Sequence, residues 1–202
     1  MLLLLDYLGT IVFAVTGALA AGKRQMDAFG VVVVALVTSV GGGTLRDLLL
    51  GFRPVFWVTA PSYIAVAALA ALITFAFMRF LPSPRRLLLV LDALGLAVFT
   101  VLGCQRTLSV TDAPVIVAMM GVMSGTAGGM IRDLLCDTVP VVLRREIYAT
   151  AALAGSVIFI VTTARGVPQN VVALVSASAV LAIRLFALRR GLSLPVAKIR
   201  AL

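Results

Sequence analysis

The chain has 202 residues, of which 62% are hydrophobic and 12% charged, with a formal net charge of +9 and no histidine. A soluble domain carries about 25% charged residues and less than half apolar ones, so the composition excludes a soluble globular protein and indicates an integral membrane protein. Without histidine the commonest metal ligand and general base is missing, and Cys104 and Cys136 stand alone in apolar surroundings, so no catalytic residue, cofactor or tightly bound metal is expected. The positive charge calls for no nucleic acid partner, because no basic block is interleaved with aromatic residues and membrane proteins concentrate Lys and Arg in cytoplasmic loops.

Crossing the roughly 30 Å hydrocarbon core takes about 20 residues of helix. Apolar runs of that order predict seven transmembrane helices, at about 2–22, 28–50, 58–81, 88–106, 113–136, 146–164 and 169–188. The opening "MLLLLDYLG" lacks a basic leader and a cleavage site, so it reads as the first span and not as a removed signal peptide. "GKRQMD" (22–27) and "RP" (53–54) make the first two breaks, and Phe52, Phe56, Trp57 and Tyr63 read as an interfacial aromatic belt with Tyr7 as a further anchor. "PSPRR" (82–86) is a charged turn, and "TDAP" (111–114) opens span 5 with an Asp cap candidate and Pro114 in the first turn. "LRRE" (143–146) and "ARGVPQN" (164–170) supply the last two breaks.

The basic residues orient the spans. Loops 1, 3 and 5 and the C-terminal tail hold Lys23, Arg24, Arg79, Arg85, Arg86, Arg144, Arg145, Arg189, Arg190, Lys198 and Arg200, whereas the alternate loops hold Arg53, Arg106 and Arg165. Eleven against three places the N-terminus outside and the C-terminus in the cytoplasm.

Sliding the chain over itself by 86 residues superimposes Asp6, Gly9, Phe13 and Gly17 on Asp92, Gly95, Phe99 and Gly103. The same shift puts Gly42, Gly43, Arg46, Asp47 and Pro54 on Gly128, Gly129, Arg132, Asp133 and Pro140. Coincidences of Leu, Val and Gly are common in apolar sequence; a run of Asp, Arg and Pro in one register is not. Residues 1–86 and 87–165 therefore read as two three-span repeats within one membrane domain, with residues 166–202 forming the seventh span and a tail. Three is odd, so the second repeat enters from the opposite side, which is the inverted architecture of many transporters.

"GGGTLRDLLLG" (41–51) and "GTAGGMIRDLL" (125–135) are the costly parts of this pattern. Each helical glycine gives up about 1 kcal/mol relative to Ala. Close packing through small residues is one explanation. A bend or break at Gly41, Gly42 and Gly43 and at Gly125, Gly128 and Gly129 fits better, because a packing face needs its small residues about four apart; it frees backbone carbonyls that only protein or a water-filled path can satisfy. Together with the hydroxyls of Thr38, Ser39, Thr44, Ser124 and Thr126, such carbonyls are hard oxygen ligands suited to a small cation, and they point to a polar route between spans 2 and 5. Adjacent helical residues point about 100° apart, so Arg46 is not expected to face Asp47. Depth along the helices instead predicts two charge pairs, Asp6–Arg46 and Asp92–Arg132, leaving Asp47 and Asp133 to face the route. Snorkelling of each arginine to lipid headgroups is the simpler alternative.

Seven spans, an inverted repeat and the doubled Gly–Arg–Asp segments resemble the TRIC family, the trimeric intracellular cation channels. Its prokaryotic branch is also labelled a glycine transporter family. The resemblance covers residues 1 to about 190. It implies a homotrimer with a pore inside each protomer, lined largely by kinked second and fifth spans and permeated by monovalent cations, chiefly potassium. Carried over, the pore elements are Gly41 to Gly43 with Thr38, Ser39 and Thr44, and Gly128 and Gly129 with Gly125 and Thr126; Arg46, Asp47, Arg132 and Asp133 match the charged positions that follow. The implied partners are other copies of the chain, membrane lipid and permeating potassium or sodium ions, and the lack of histidine with Arg in excess of Lys suits a prokaryotic cytoplasmic membrane. Animal members carry a basic segment in the second span that contacts acidic lipid; "FGVVVVALVTSVGGG" (29–43) has no such charge. A passive cation channel is thus the leading expectation. A secondary transporter of a small solute such as glycine is the rival, because both classes use inverted repeats and broken helices.

Overall fold

The computed structural model describes residues 2–81, 84–144 and 147–192, and no strand occurs among them. Helices α1 (Leu2–Lys23), α2 (Ala28–Leu49), a short α3 (Phe56–Thr59) and α4 (Ser62–Phe77) with a closing 3-10 turn (Met78–Phe80) make up the first half. The second half holds α5 (Pro84–Leu108), α6 (Pro114–Leu135), a short α7 (Val141–Arg144), α8 (Ala149–Ala164) and finally α9 (Gln169–Arg190). Among the described residues six helices are long and apolar enough to cross a membrane; α8, with 16 residues, reaches only about 24 Å at 1.5 Å per residue. Arg145, Lys198 and Arg200, counted above for orientation, lie outside the described residues.

Helix boundaries follow local chemistry. Asp27 accepts a bond from the Gly30 N–H at 2.8 Å and caps α2. Asp112 does not cap α6 as its position suggested: Ala113 is the cap residue and Pro114 supplies the preset first turn. Span 3 is broken near its start by Ala60 and Pro61, which separate α3 from α4. The ends of α2 and α6 share one device. Gly51 (φ +78°) and Asp137 (φ +47°) are left-handed, and the amides of Phe52 and Thr138 reach back to the carbonyls of Asp47 and Asp133 at 2.8 and 2.9 Å. This is the Schellman arrangement, met once by glycine and once by aspartate.

The centre of the bundle is made by α1, α2, α5 and α6. Lipid tails are as apolar as Leu, so helices in a bilayer associate through close packing and not through the hydrophobic effect. Phe13 packs on Gly95 and Phe99 comes against Gly9, with the two rings 5.0 Å apart between α1 and α5. Side chains such as Phe29, Leu72, Val115 and Leu174 point outward, whereas Thr10, Thr16, Thr38, Ser39, Thr100 and Ser124 are buried. The bundle is apolar outside and hydroxyl-bearing inside.

Neither α2 nor α6 breaks at its glycines; both are helical throughout. The carbonyls expected to be freed there stay in the helix. A Cβ on Gly42 would collide with the backbone carbonyl of Ser124, and a Cβ on Gly128 with that of Thr38. The two helices thus cross backbone against backbone, and the packing explanation accounts for these glycines. Gly41 differs, since an added Cβ meets only the flexible tip of Ile131 at 3.0 Å. We expect Gly42→Ala and Gly128→Ala each to lower the melting temperature of the detergent-purified protein markedly. Gly41→Ala, which gains up to about 1 kcal/mol of helix propensity, should leave it unchanged or raise it; equal effects at all three positions would contradict the crossing.

Candidate functional site

The two Gly–Arg–Asp segments end in the same local structure. Arg46 donates from Nε to Asp47 Oδ1 at 2.9 Å and Nη2 lies 2.8 Å from the same oxygen. Arg132 and Asp133 repeat this at 2.9 and 2.8 Å. The expectation that neighbouring residues would not pair is therefore overturned: the long guanidinium folds back along its own helix to reach a buried carboxylate. The second oxygen of each aspartate is also occupied. Asp47 Oδ2 accepts the Phe56 N–H at the start of α3, and Asp133 Oδ2 the Val141 N–H at the start of α7, both at 3.0 Å. Asp47 and Asp133 are buried braces between a helix end and the following short helix, not groups open to a route.

The long-range partners of the arginines differ between the halves. Arg132 Nη1 donates to Asp92 Oδ1 at 2.6 Å and to Thr16 Oγ1 at 3.2 Å, joining α6 to α5 and α1. Arg132 is 1% exposed and Asp92 likewise 1%, so neither arginine nor carboxylate snorkels to headgroups at this end. Tyr148, buried beside them, carries Arg184 of α9 over its ring at 4.7 Å. At the other end Asp6 and Arg46 do not pair. Asp6 Oδ2 instead accepts the hydroxyl of Tyr63 at 3.0 Å, and Arg46 sits 5.7 Å from the centre of the Phe56 ring. Tyr63 out-competes the arginine because it stands on α4 directly opposite α1, held there by stacking on Tyr7 at 4.5 Å.

A cavity of about 460 Å³ is lined by Asp6, Arg46, Phe56, Tyr63, Gln105 and Arg106 among others. The aromatic residues read as an interfacial belt in part form its wall: Tyr63 is buried, Phe56 meets it edge-on, and Phe52 lies beneath Arg106 at 3.8 Å. Tyr63, one residue off the 86-residue register from Tyr148, was the sequence signal for the polar partner of Asp6. Gln105 and Arg106 carried none.

The predicted hydroxyls divide into two groups. Thr38, Ser39 and Thr44 bond back to the carbonyls of Val34, Leu36 and Val40 at 2.6, 2.9 and 2.7 Å, and Thr44 also receives the Trp57 indole N–H at 2.9 Å. Ser124 on α6, Thr10 on α1 and Thr100 on α5 are buried without a hydrogen-bond partner among the described residues. Thr126 is buried against the α8 side of α6 and lines a separate, apolar groove. Gly43 faces the Phe56 ring, Gly125 the Thr100 hydroxyl and Gly129 the Tyr148 hydroxyl.

The two ends should differ in energetic weight. Asp92→Asn takes one of two carboxylates from a buried guanidinium and should destabilise by about 3–5 kcal/mol. Asp6→Asn keeps an amide oxygen for the Tyr63 hydroxyl and loses only the charge of that bond, at the edge of an open cavity, and should cost about 1 kcal/mol or less. Thermal melts of the purified variants check the order; an equal or reversed order would contradict the asymmetry of the two ends.

Comparison with known proteins matches the geometry to a family. The family described as "Glycine transporter" matches residues 3–79 and 89–164. A UPF0126 membrane protein of Vibrio cholerae is 44% identical over 96% of this chain and 82% of its own length. The UPF0126 inner membrane protein YadS of Escherichia coli K12 is 44% identical over 95% of this chain and 93% of its own. Among solved structures, the TRIC trimeric intracellular cation channel orthologue from Rhodobacter sphaeroides is 46% identical, with a TM-score of 0.92 over 95% of this chain and 98% of that one. A TRIC channel solved to explain cation conductance is 37% identical, with a TM-score of 0.90 over 98% of each chain. These structural relatives are ion channels and not enzymes. The chain is an integral membrane protein of the family described as glycine transporter, the UPF0126 proteins, and it shares the fold of the prokaryotic TRIC channels.

Proposed function

We propose that the chain is a monovalent cation channel, permeable to potassium, with an ion path in each protomer of a homotrimer. The likeness to TRIC cation channels supports the class. The observation that carries the path is the set of buried polar groups on the inward faces of α1, α2, α5 and α6, with Ser124, Thr10 and Thr100 unpartnered in an apolar bundle. Ions enter through the cavity beside Asp6 and Arg46, pass alongside the α2–α6 crossing, and meet the Arg132–Asp92 pair at the far end. The direct contact at Gly42 and Gly128 keeps the path off the crossing itself, and any bend of α2 and α6 at their glycines occurs within intact helices. Gly41 to Gly43 and Gly125 to Gly129 set how closely the walls approach, and Arg46, Asp47, Arg132 and Asp133 hold the helix ends.

In this reading all seven long helices cross the cytoplasmic membrane of a prokaryote, α8 with the help of its flanking residues, and membrane lipid surrounds the trimer. The N-terminus lies outside and the C-terminus inside, so the Asp6 cavity faces out and the Asp92–Arg132 pair faces in. Residues 1–86 and 87–165 are the inverted repeats of one domain. Purified protein in a planar bilayer under a potassium chloride gradient should give unitary currents reversing near the potassium potential. Reversal near the chloride potential would overturn cation selectivity. Saturable uptake of a small solute such as glycine without unitary currents would assign a transporter instead.

A further inference from the structure

The two ends of the bundle carry the same Asp, Arg and Asp residues and differ in state. Arg132 holds Asp92 at 2.6 Å, whereas Arg46 and Asp6 line the open cavity without pairing. What separates the ends lies where the repeats diverge. Two divergent positions, on α1 and in the turn after it, touch α6 at the closed end. Thr16 accepts the second bond of Arg132 Nη1 at 3.2 Å, and its equivalent 86 residues on is Leu102. Arg24 donates from Nε to the Cys136 carbonyl at 2.6 Å and from Nη2 to the Asp137 carbonyl, and its equivalent is Val110. We infer that Thr16 and Arg24 are positioning residues that select which end is closed, tying α1 to the end of α6 so that Arg132 stays on Asp92.

Each tie has a physical reason. The end of an α-helix leaves carbonyls without helical partners, and the helix dipole makes that end favour a cation. Arg24 brings one with forked donors, so both of its bonds are charge-assisted. Cys136 and Asp137 directly follow the last turn of α6, which carries Arg132 and Asp133. A guanidinium on their carbonyls therefore fixes where that turn lies relative to α1. Thr16 acts on the arginine itself. Its hydroxyl donates to the Phe13 carbonyl at 2.8 Å, which leaves the oxygen lone pairs for Arg132. At the open end the backbone arrangement is similar and the side chains are wrong. Arg106 stacks on Phe52 at 3.8 Å, so the end of α5 stands beside the segment after α2, as the end of α1 stands beside the segment after α6. Val110 has no donor for the carbonyls of Leu50 and Gly51, the equivalents of Cys136 and Asp137. Leu102, in the cavity wall, offers Arg46 no oxygen. Without either tie, Asp6 stays on Tyr63.

The inference rests on the proposed ion path for what the two ends close, and its test reads accessibility instead of current. Gln105 lines the cavity and serves as the reporter. The full chain with Cys104→Ala, Cys136→Ala and Gln105→Cys is placed in nanodiscs and modified with a cationic methanethiosulfonate reagent. Adding Leu102→Thr and Val110→Arg installs both ties at the open end; Val110 is exposed, so the longer side chain has room. Modification of the cysteine should slow about tenfold as the population shifts to a closed cavity. Val110→Met, which adds bulk and no donor, should leave the rate unchanged. General damage to the fold would speed modification and not slow it. The converse arm uses the natural Cys136, which is 3% exposed, in a Cys104→Ala chain. Thr16→Val, nearly isosteric, should raise its modification rate about tenfold by releasing Arg132. An unchanged Gln105→Cys rate in a folded Leu102→Thr, Val110→Arg chain overturns the inference. Equal slowing by Val110→Met, or an unchanged Cys136 rate in Thr16→Val, overturns it as well. Silence in the planar bilayer leaves these rates as predicted, and unchanged rates leave the channel standing.

Discussion

The contact on which the rest of the bundle depends is the crossing of α2 and α6. Gly42 lies on the carbonyl of Ser124 and Gly128 on the carbonyl of Thr38, so no side chain separates the two backbones there. A bilayer offers helices no hydrophobic reward for associating, and shape and polar bonding have to supply it. The same economy recurs on both flanks. A Cβ on Gly17 would stand 2.7 Å from the Ala35 backbone, and one on Gly103 would stand 3.0 Å from that of Gly121. The glycines form a matched set of close approaches, and each helix end is then fixed by an Arg–Asp brace to the segment that follows.

The matched halves are not in matched states. One end is closed by a buried network in which Arg132 serves Asp92, Asp133 and Thr16; the other opens into a cavity where Tyr63 holds Asp6 away from Arg46. Identical residue types in equivalent places have taken different partners, so the difference comes from their surroundings. Arg184 of α9 stacks on Tyr148 behind the closed end, and α9 lies outside the two matched segments. This contact has no counterpart in the repeated pattern and stands at the closed end alone among the described residues.

Much of the fold was legible because its signals are local. Apolar runs, prolines and charge clusters marked the long helices to within a few residues, and Asp, Arg and Pro recurring at one spacing marked the equivalent segments. The site was legible only in outline. Three consecutive glycines announce that a Cβ is forbidden, yet the atom that forbids it is the Ser124 carbonyl on another helix. Arg46 and Asp47 sit at an angle that argues against pairing, and the bond forms because burial leaves the guanidinium few alternatives and its stem is long enough to turn back. The Phe56 and Val141 amides that complete the braces lie beyond a turn whose path no periodicity reveals. Asp6 was assigned to the right neighbourhood and the wrong partner, since depth along a helix does not distinguish Arg46 from Tyr63.

The central claim is that monovalent cations pass through each chain, beside the α2–α6 crossing. Thallium substitutes for potassium and scatters anomalously, so crystals of the protein soaked in a thallium salt locate the path without reference to current. The account predicts anomalous peaks inside every protomer, in the Asp6 cavity and near the Ser124 and Thr100 hydroxyls. Peaks confined to the axis between protomers, or to the outer surface, would contradict it.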